Sequence, residues 1–154
     1  MRRILIALTA LFATAAQAEI APRDGWIIHE TEKSHAELVD SLKAAVKDNG
    51  FGVVTEAGPT AMAAQRGIEI PENRVVGVFN NDYAVKILDL SVAAMIEAPV
   101  RFYVTEEEDG TATLSYKTPS FVFLPYADDG GDLLAALAAE LDTKFNDIAM
   151  AAIE

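Results

Sequence analysis

The apolar positions of this chain fall into runs that alternate and runs that recur every three to four residues. Trp26-Ile27-Ile28-His29 is a short apolar strand, and Phe51-Gly52-Val53-Val54-Thr55 reads as a second. Arg74-Val75-Val76-Gly77-Val78-Phe79 is apolar almost throughout, which places it in the middle of a sheet. Val100-Arg101-Phe102-Tyr103-Val104-Thr105 alternates, placing Val100, Phe102 and Val104 on one face, and Thr111-Ala112-Thr113-Leu114-Ser115-Tyr116 alternates again. Glu106-Glu107-Glu108-Asp109-Gly110 separates the last two, and Asp-Gly between alternating runs predicts a hairpin.

The helical period appears between these runs. Ser34-His35-Ala36-Glu37 is a capping box, followed by Leu38, Val39, Leu42, Ala45 and Val46 on one helical face and by Asn49-Gly50 as a stop. Pro59 opens a short segment that ends at Arg66-Gly67. After Val78-Phe79-Asn80-Asn81-Asp82 a helix is expected to carry Val85, Leu88 and Val92 inward and to run towards Ala98, where Pro99 forbids its continuation. Asn81 or Asp82 is placed to cap it. Leu133, Leu134, Leu137, Leu141, Phe145 and Ile148 form the stripe of a last helix reaching Ile153, with Asp128-Asp129-Gly130-Gly131-Asp132 as the turn and cap before it. Strands separated by helices, with one hairpin, predict a single compact α+β domain: an antiparallel or mixed sheet with helices packed on one face. Tyr103, Arg101, Thr113 and Ser115 are then candidates for the less covered face.

The N-terminus adds an address. Arg2-Arg3, the apolar run Ile4 to Ala16 and the small-x-small pattern Ala16-Gln17-Ala18 predict a signal peptide over residues 1–18, cleaved after Ala18. The run is too short for a membrane anchor, because Gln17, Glu19, Arg23 and Asp24 end it. With no cysteine the chain has no lipid attachment point, no disulfide scaffold, no thiol nucleophile and no thiolate metal site. The expected mature protein is a periplasmic domain of residues 19–154, long enough to bury a core without staples. Taking Arg2 and Arg3 from the 12 basic residues leaves 10 against 24 acidic ones, a net charge of −14. That field repels phosphate backbones and anionic lipid surfaces, so no nucleic-acid partner is expected.

Candidate chemistry is sparse. Asn80, with the free amides of the helix start behind it, forms a polar notch at a strand end where an anionic or amide-bearing ligand could dock, although Asp82 opposes an anion and capping explains the same residues. His29 and His35 are the only conventional bases; His35, in a first helical turn, reads as solvent-exposed, and a third metal ligand is not in evidence. Asp128 to Asp132 lacks the alternating ligands and closing glutamate of a calcium loop. Gly50-Phe51-Gly52 precedes a strand and so is no dinucleotide fingerprint, and there is no Gly-x-Ser-x-Gly elbow.

Phe51-Gly52-Val53-Val54-Thr55, the strand ending Val78-Phe79-Asn80-Asn81-Asp82, Ala98-Pro99-Val100-Arg101-Phe102-Tyr103-Val104, and Glu107-Glu108-Asp109-Gly110 leading to Leu114-Ser115-Tyr116-Lys117-Thr118-Pro119 occur in an order that resembles the domain of unknown function 302 family. The resemblance spans roughly Trp26 to Ile153. It implies a compact α+β domain, often dimeric, with no established activity. Some relatives carry cysteines where this chain has Phe79 and Ala98, and others an Asp-His pair where it has Glu56-Ala57-Gly58. Thiol and metal roles therefore do not carry over.

Two function classes follow. The first is an exported, non-enzymatic module that binds a small molecule or a protein through its sheet face or a subunit seam, with Asn80, Asn81, Arg101, Tyr103 and Tyr116 as the polar contributors and no cofactor. A homodimer is compatible with it. The alternative is a carboxylate-dependent enzyme acting on a small molecule, with Glu97 or Glu56 as general base near Tyr116.

Overall fold

A computed structural model describes residues 20–154; the expected signal peptide and its cleavage point lie outside the described residues. The strands are β1 (Trp26–Thr31), β2 (Gly52–Ala57), β3 (Asn73–Phe79), β4 (Val100–Glu106) and β5 (Ala112–Lys117). They form one open sheet in the order β1-β5-β4-β3-β2, with every neighbouring pair antiparallel. Of the two sheet types expected, the antiparallel one is realised, in a single α+β domain.

Helix α1 (His35–Asp48) begins at the expected capping box: the Ser34 hydroxyl accepts from the Glu37 amide and the Glu37 carboxylate accepts from the Ser34 amide at 3.0 Å. It ends with Gly50 at φ +79°, a left-handed residue that lets the Phe51 amide donate back to the Val46 carbonyl at 3.0 Å. The helix α2 (Thr60–Ala64) follows β2, and α3 (Asn81–Leu90) follows β3. Short α4 (Pro119–Phe123) and a 3₁₀ turn over Leu124–Tyr126 lead into α5 (Ala127–Ile153). The α4 segment is not marked by periodicity, since one turn of helix shows no repeat.

The core lies between one sheet face and α1 and α5. Leu38, Leu42 and Val46 of α1 meet Val76, Phe102, Val104 and Leu114 of the sheet, and all are buried. Phe145 of α5 stacks on Phe102 with ring centroids 4.8 Å apart and lies 5.8 Å from the ring of Tyr116. The alternation seen in the sequence of β4 is thus the division between core and far face.

Three expectations about α3 are corrected. The cap of α3 is Asn80, one residue earlier than expected: its Oδ1 accepts from the amides of Asp82 at 2.9 Å and Tyr83 at 3.3 Å. The buried face of α3 is Ala84 and Ile87 with Tyr83 and Leu90 packed behind, whereas Val85, Leu88 and Val92 face outward, Val92 at 78% exposure. Both stripes are apolar, and stacking of Tyr83 on Phe51 at 5.8 Å accompanies the phase adopted. The helix also stops at Leu90, because Ser91 turns extended and its hydroxyl accepts the Ala94 amide at 3.0 Å, starting a separate 3₁₀ turn over Ala94–Glu97.

Helix α5 starts at Ala127, six residues before the expected apolar stripe, and passes through a break at Gly131 (φ 55°, ψ −149°). Leu134, Leu137, Leu141, Phe145 and Ile148 are buried as expected, while Leu133 is 70% exposed. His35 is buried, contrary to the solvent-exposed position expected of it: α1 lies with its first turn against the sheet, and the Nε2 atoms of His35 and of His29 have no hydrogen-bond partner.

Candidate functional site

Among the described residues, the core helices α1 and α5 pack on one face of the sheet and leave the second face to a groove. Antiparallel register converts the sequence into rows across that face. Trp26 pairs with Lys117 and Gly77 with Arg101, so with Lys117 and Arg101 in line these four form one row. Ile28, Ser115, Tyr103, Val75 and Ala57 form the next. Glu30, Thr113, Thr105 and Asn73 form the third. Rows two residues apart lie about 7 Å apart along the strands.

The rows differ in chemistry: cationic, then apolar and aromatic, then polar and acidic. A groove of about 640 Å³ crosses them, lined by Trp26, Asn73, Val75, Arg101, Tyr103 and Lys117, with the Ala57-Gly58-Pro59 turn along one side. Gly77, in the cationic row, is overlain by the Thr55 hydroxyl and the Pro99 ring, which leave no room for a Cβ there. Ser115 is fully buried in the middle row, so Tyr103 and its neighbours, not Ser115, present their side chains to the groove.

The cationic end is built around the chain's single tryptophan. The Arg23 guanidinium lies 5.1 Å and the Lys117 ammonium 5.7 Å from the Trp26 ring centroid. The ion pairs among the described residues are Lys43 with Glu56 and Arg74 with Glu56. Arg101 and Lys117 therefore have no carboxylate partner there. Glu97 reaches the groove's rim and accepts a hydrogen bond from the Tyr126 hydroxyl at 2.7 Å.

The residues singled out in the sequence separate into different places. Arg101 and Tyr103 share the groove. Tyr116 alternates to the helix-covered face, where burial first and the nearby Asp142 carboxylate second push its hydroxyl up to about 12. Asn80 uses its carbonyl oxygen for the helix cap and its Nδ2 to donate to the Gly50 carbonyl at 2.9 Å. The crevice beside it, lined by Phe51, Tyr83 and Phe145 among others, holds about 30 Å³, roughly the room of one water molecule. Asn81 is the exposed first residue of α3. Lys117 and Trp26 join the groove without having been singled out, although Lys117 stands two residues from Ser115 and so shares its face.

The two carboxylates considered as bases differ as well. Glu56 accepts from Lys43 at 2.8 Å and lies 3.4 Å from Arg74, and these cations, Lys43 foremost, hold its carboxyl below the usual range. A general base or acid at neutral pH needs the opposite shift. His29 and His35 are both held below the ordinary imidazole value, chiefly by burial, and no group of three metal-ligating side chains comes together among the described residues.

No curated protein matches the chain. It is similar to the crystal structure of an uncharacterised conserved DUF302 protein from Bacillus stearothermophilus, with a TM-score of 0.74 at 18% sequence identity over 84% of this chain and 98% of that one. At that identity the likeness shows the fold alone. The family model described as Domain of unknown function DUF302 matches residues 27–152, from β1 to the last turn of α5, and the chain belongs to that family.

Proposed function

We propose that this protein is an exported, non-enzymatic module that holds a small molecule in the groove on the uncovered face of its sheet. One observation carries the reading: about 640 Å³ of concave space lies over regular strands, within the range of sites that take small ligands. Strands backed by a packed aromatic core form a rigid floor, so little ordering is left for the ligand to drive. Export is supported by Arg2-Arg3, the apolar run after them and Ala16-Gln17-Ala18. No helix among the described residues is long and apolar enough to cross a membrane. The carboxylate-enzyme alternative draws no support from the geometry, because Glu56 is tied to two cations and Glu97 to Tyr126.

A native mass spectrum of the protein gently purified from the periplasm tests the reading. The expected species begins at Glu19 and carries a small-molecule adduct that Tyr103→Ala removes. A bare chain would count against the ligand, a dimer that buries Tyr103 would make a second copy the occupant of the face, and retention of residues 1–18 would overturn export.

A further inference from the structure

Resting on the ligand-binding reading of the groove, we infer that its ligand is an organic monoanion: a carboxylate held by Arg101 and Lys117, on a flat apolar body lying over Tyr103 and Val75. The residues expected after removal of the signal peptide carry a charge of −14, yet two of their ten cationic side chains, Arg101 and Lys117, line one end of this groove, and a third, Arg23, lies over the Trp26 ring beside it. Lys43 and Arg74, at the other edge of the sheet, are neutralised by a shared carboxylate, Glu56. Arg101 and Lys117 stand side by side on neighbouring strands without one. An exposed guanidinium fork beside an ammonium matches a carboxylate in geometry and charge.

The direction of the ligand follows from the rows. The far end of the face carries Glu30, and Glu32, Glu107 and Asp109 lie around it, so an anion bound the other way round would meet like charge. Between the ends, Val75 and the Tyr103 ring offer apolar surface about one row long, which suits a flat ring system. A single negative charge fits better than a dianion such as a phosphate monoester. Each further charge works against the field of the whole chain and against Glu97 at the rim.

Trp26 is the only tryptophan of the chain and lies at the cationic end, so its single indole N–H resonance reports occupancy there. The protein as processed by the expressing cell is titrated with 2-naphthoate and with the neutral 2-naphthamide, following that resonance and the heat of binding. The inference expects a saturable shift with 2-naphthoate, affinity at least tenfold above the amide, a tenfold or greater loss in Arg101→Gln and a smaller one in Lys117→Gln. Glu97→Gln should tighten binding. Because Arg101 and Lys117 are exposed, both variants are expected to unfold at the wild-type denaturant midpoint, which separates lost binding from lost folding. Equal affinity for acid and amide, with both lost in Tyr103→Ala, would overturn the anion and leave the groove. No shift with either probe, together with a bare chain in the native mass spectrum, would overturn both.

Discussion

The two faces of the sheet are built from the same strands and do opposite things. On β4, Phe102 and Val104 are fully buried against α1 and α5, while Arg101 and Tyr103, one residue away each, point into an open groove. The helix-covered face is continuous aromatic and aliphatic packing, with Phe102 between Phe145 and Tyr116. The other face changes character every two residues, from cation to aromatic to acid. Stability and recognition are thus separated by strand parity, and a substitution's effect should depend more on whether its position is odd or even than on where along β4 it falls.

Phe102→Ala is the most severe test of that separation. It should cost about 3–5 kcal/mol of unfolding free energy in a denaturant titration, the range for emptying a large aromatic site in a core. A loss below about 1 kcal/mol would mean that the two faces are not divided as described.

Acid should act next, and on the helix-covered face. His35 is buried and His29 half-buried, both with unpaired Nε2 atoms, and they titrate below the ordinary value of 6.5, chiefly through desolvation; for His35, Glu72 and Glu106 pull upward and Arg74 downward. The unfolded chain takes up the proton first. Stability is therefore complete above about pH 6.5 and falls as pH drops from there through the lowered native values. Unfolding midpoints measured down that range should decline, and the double variant His29→Gln/His35→Gln should decline less between about pH 7 and 5. An equal slope would remove the histidines from the account.

Asn80→Ala removes the α3 cap and its bond to Gly50, at a cost of about 1 kcal/mol. Asn81→Ala, one residue on and exposed, should change stability by less than about 0.5 kcal/mol. The pair sharpens the assignment of Asn80 as the cap. Smallest of all, Arg101→Ala should leave the unfolding midpoint within about 0.5 kcal/mol of wild type while abolishing the adduct seen by native mass spectrometry. A large stability loss there would place Arg101 with the core and not with the groove.

Much of the fold was legible because periodicity and capping are local. The capping box at Ser34, the stop at Asn49-Gly50 and the Asp109-Gly110 hairpin all appear where the residues imply them. The phase of α3 was not legible, since Val85, Leu88 and Val92 compete with Ala84, Ile87 and Leu90 as an inward stripe and propensity does not choose between them. The start of α5 was hidden for a different reason: Gly130-Gly131 among aspartates reads as a turn, while the chain bends at Gly131 and the helix resumes. In the candidate site, the parity of Arg101 and Tyr103 was readable from β4 alone. That Lys117 stands beside Arg101, and Trp26 beside Lys117, depends on register between strands up to 91 positions apart in the chain, as Trp26 and Lys117 are.

By itself the sequence determined the strands, most helices, the acidic surface and the absence of thiol chemistry, because each of these depends on composition or on neighbours a few residues apart. Only the tertiary structure decided which apolar stripe of α3 is buried, that His35 loses its solvent, and that Arg101 and Lys117 come to lie together on the sheet face away from α1 and α5. Those outcomes depend on which distant surfaces meet, since burial and cross-strand adjacency are properties of the packed sheet and not of any one segment.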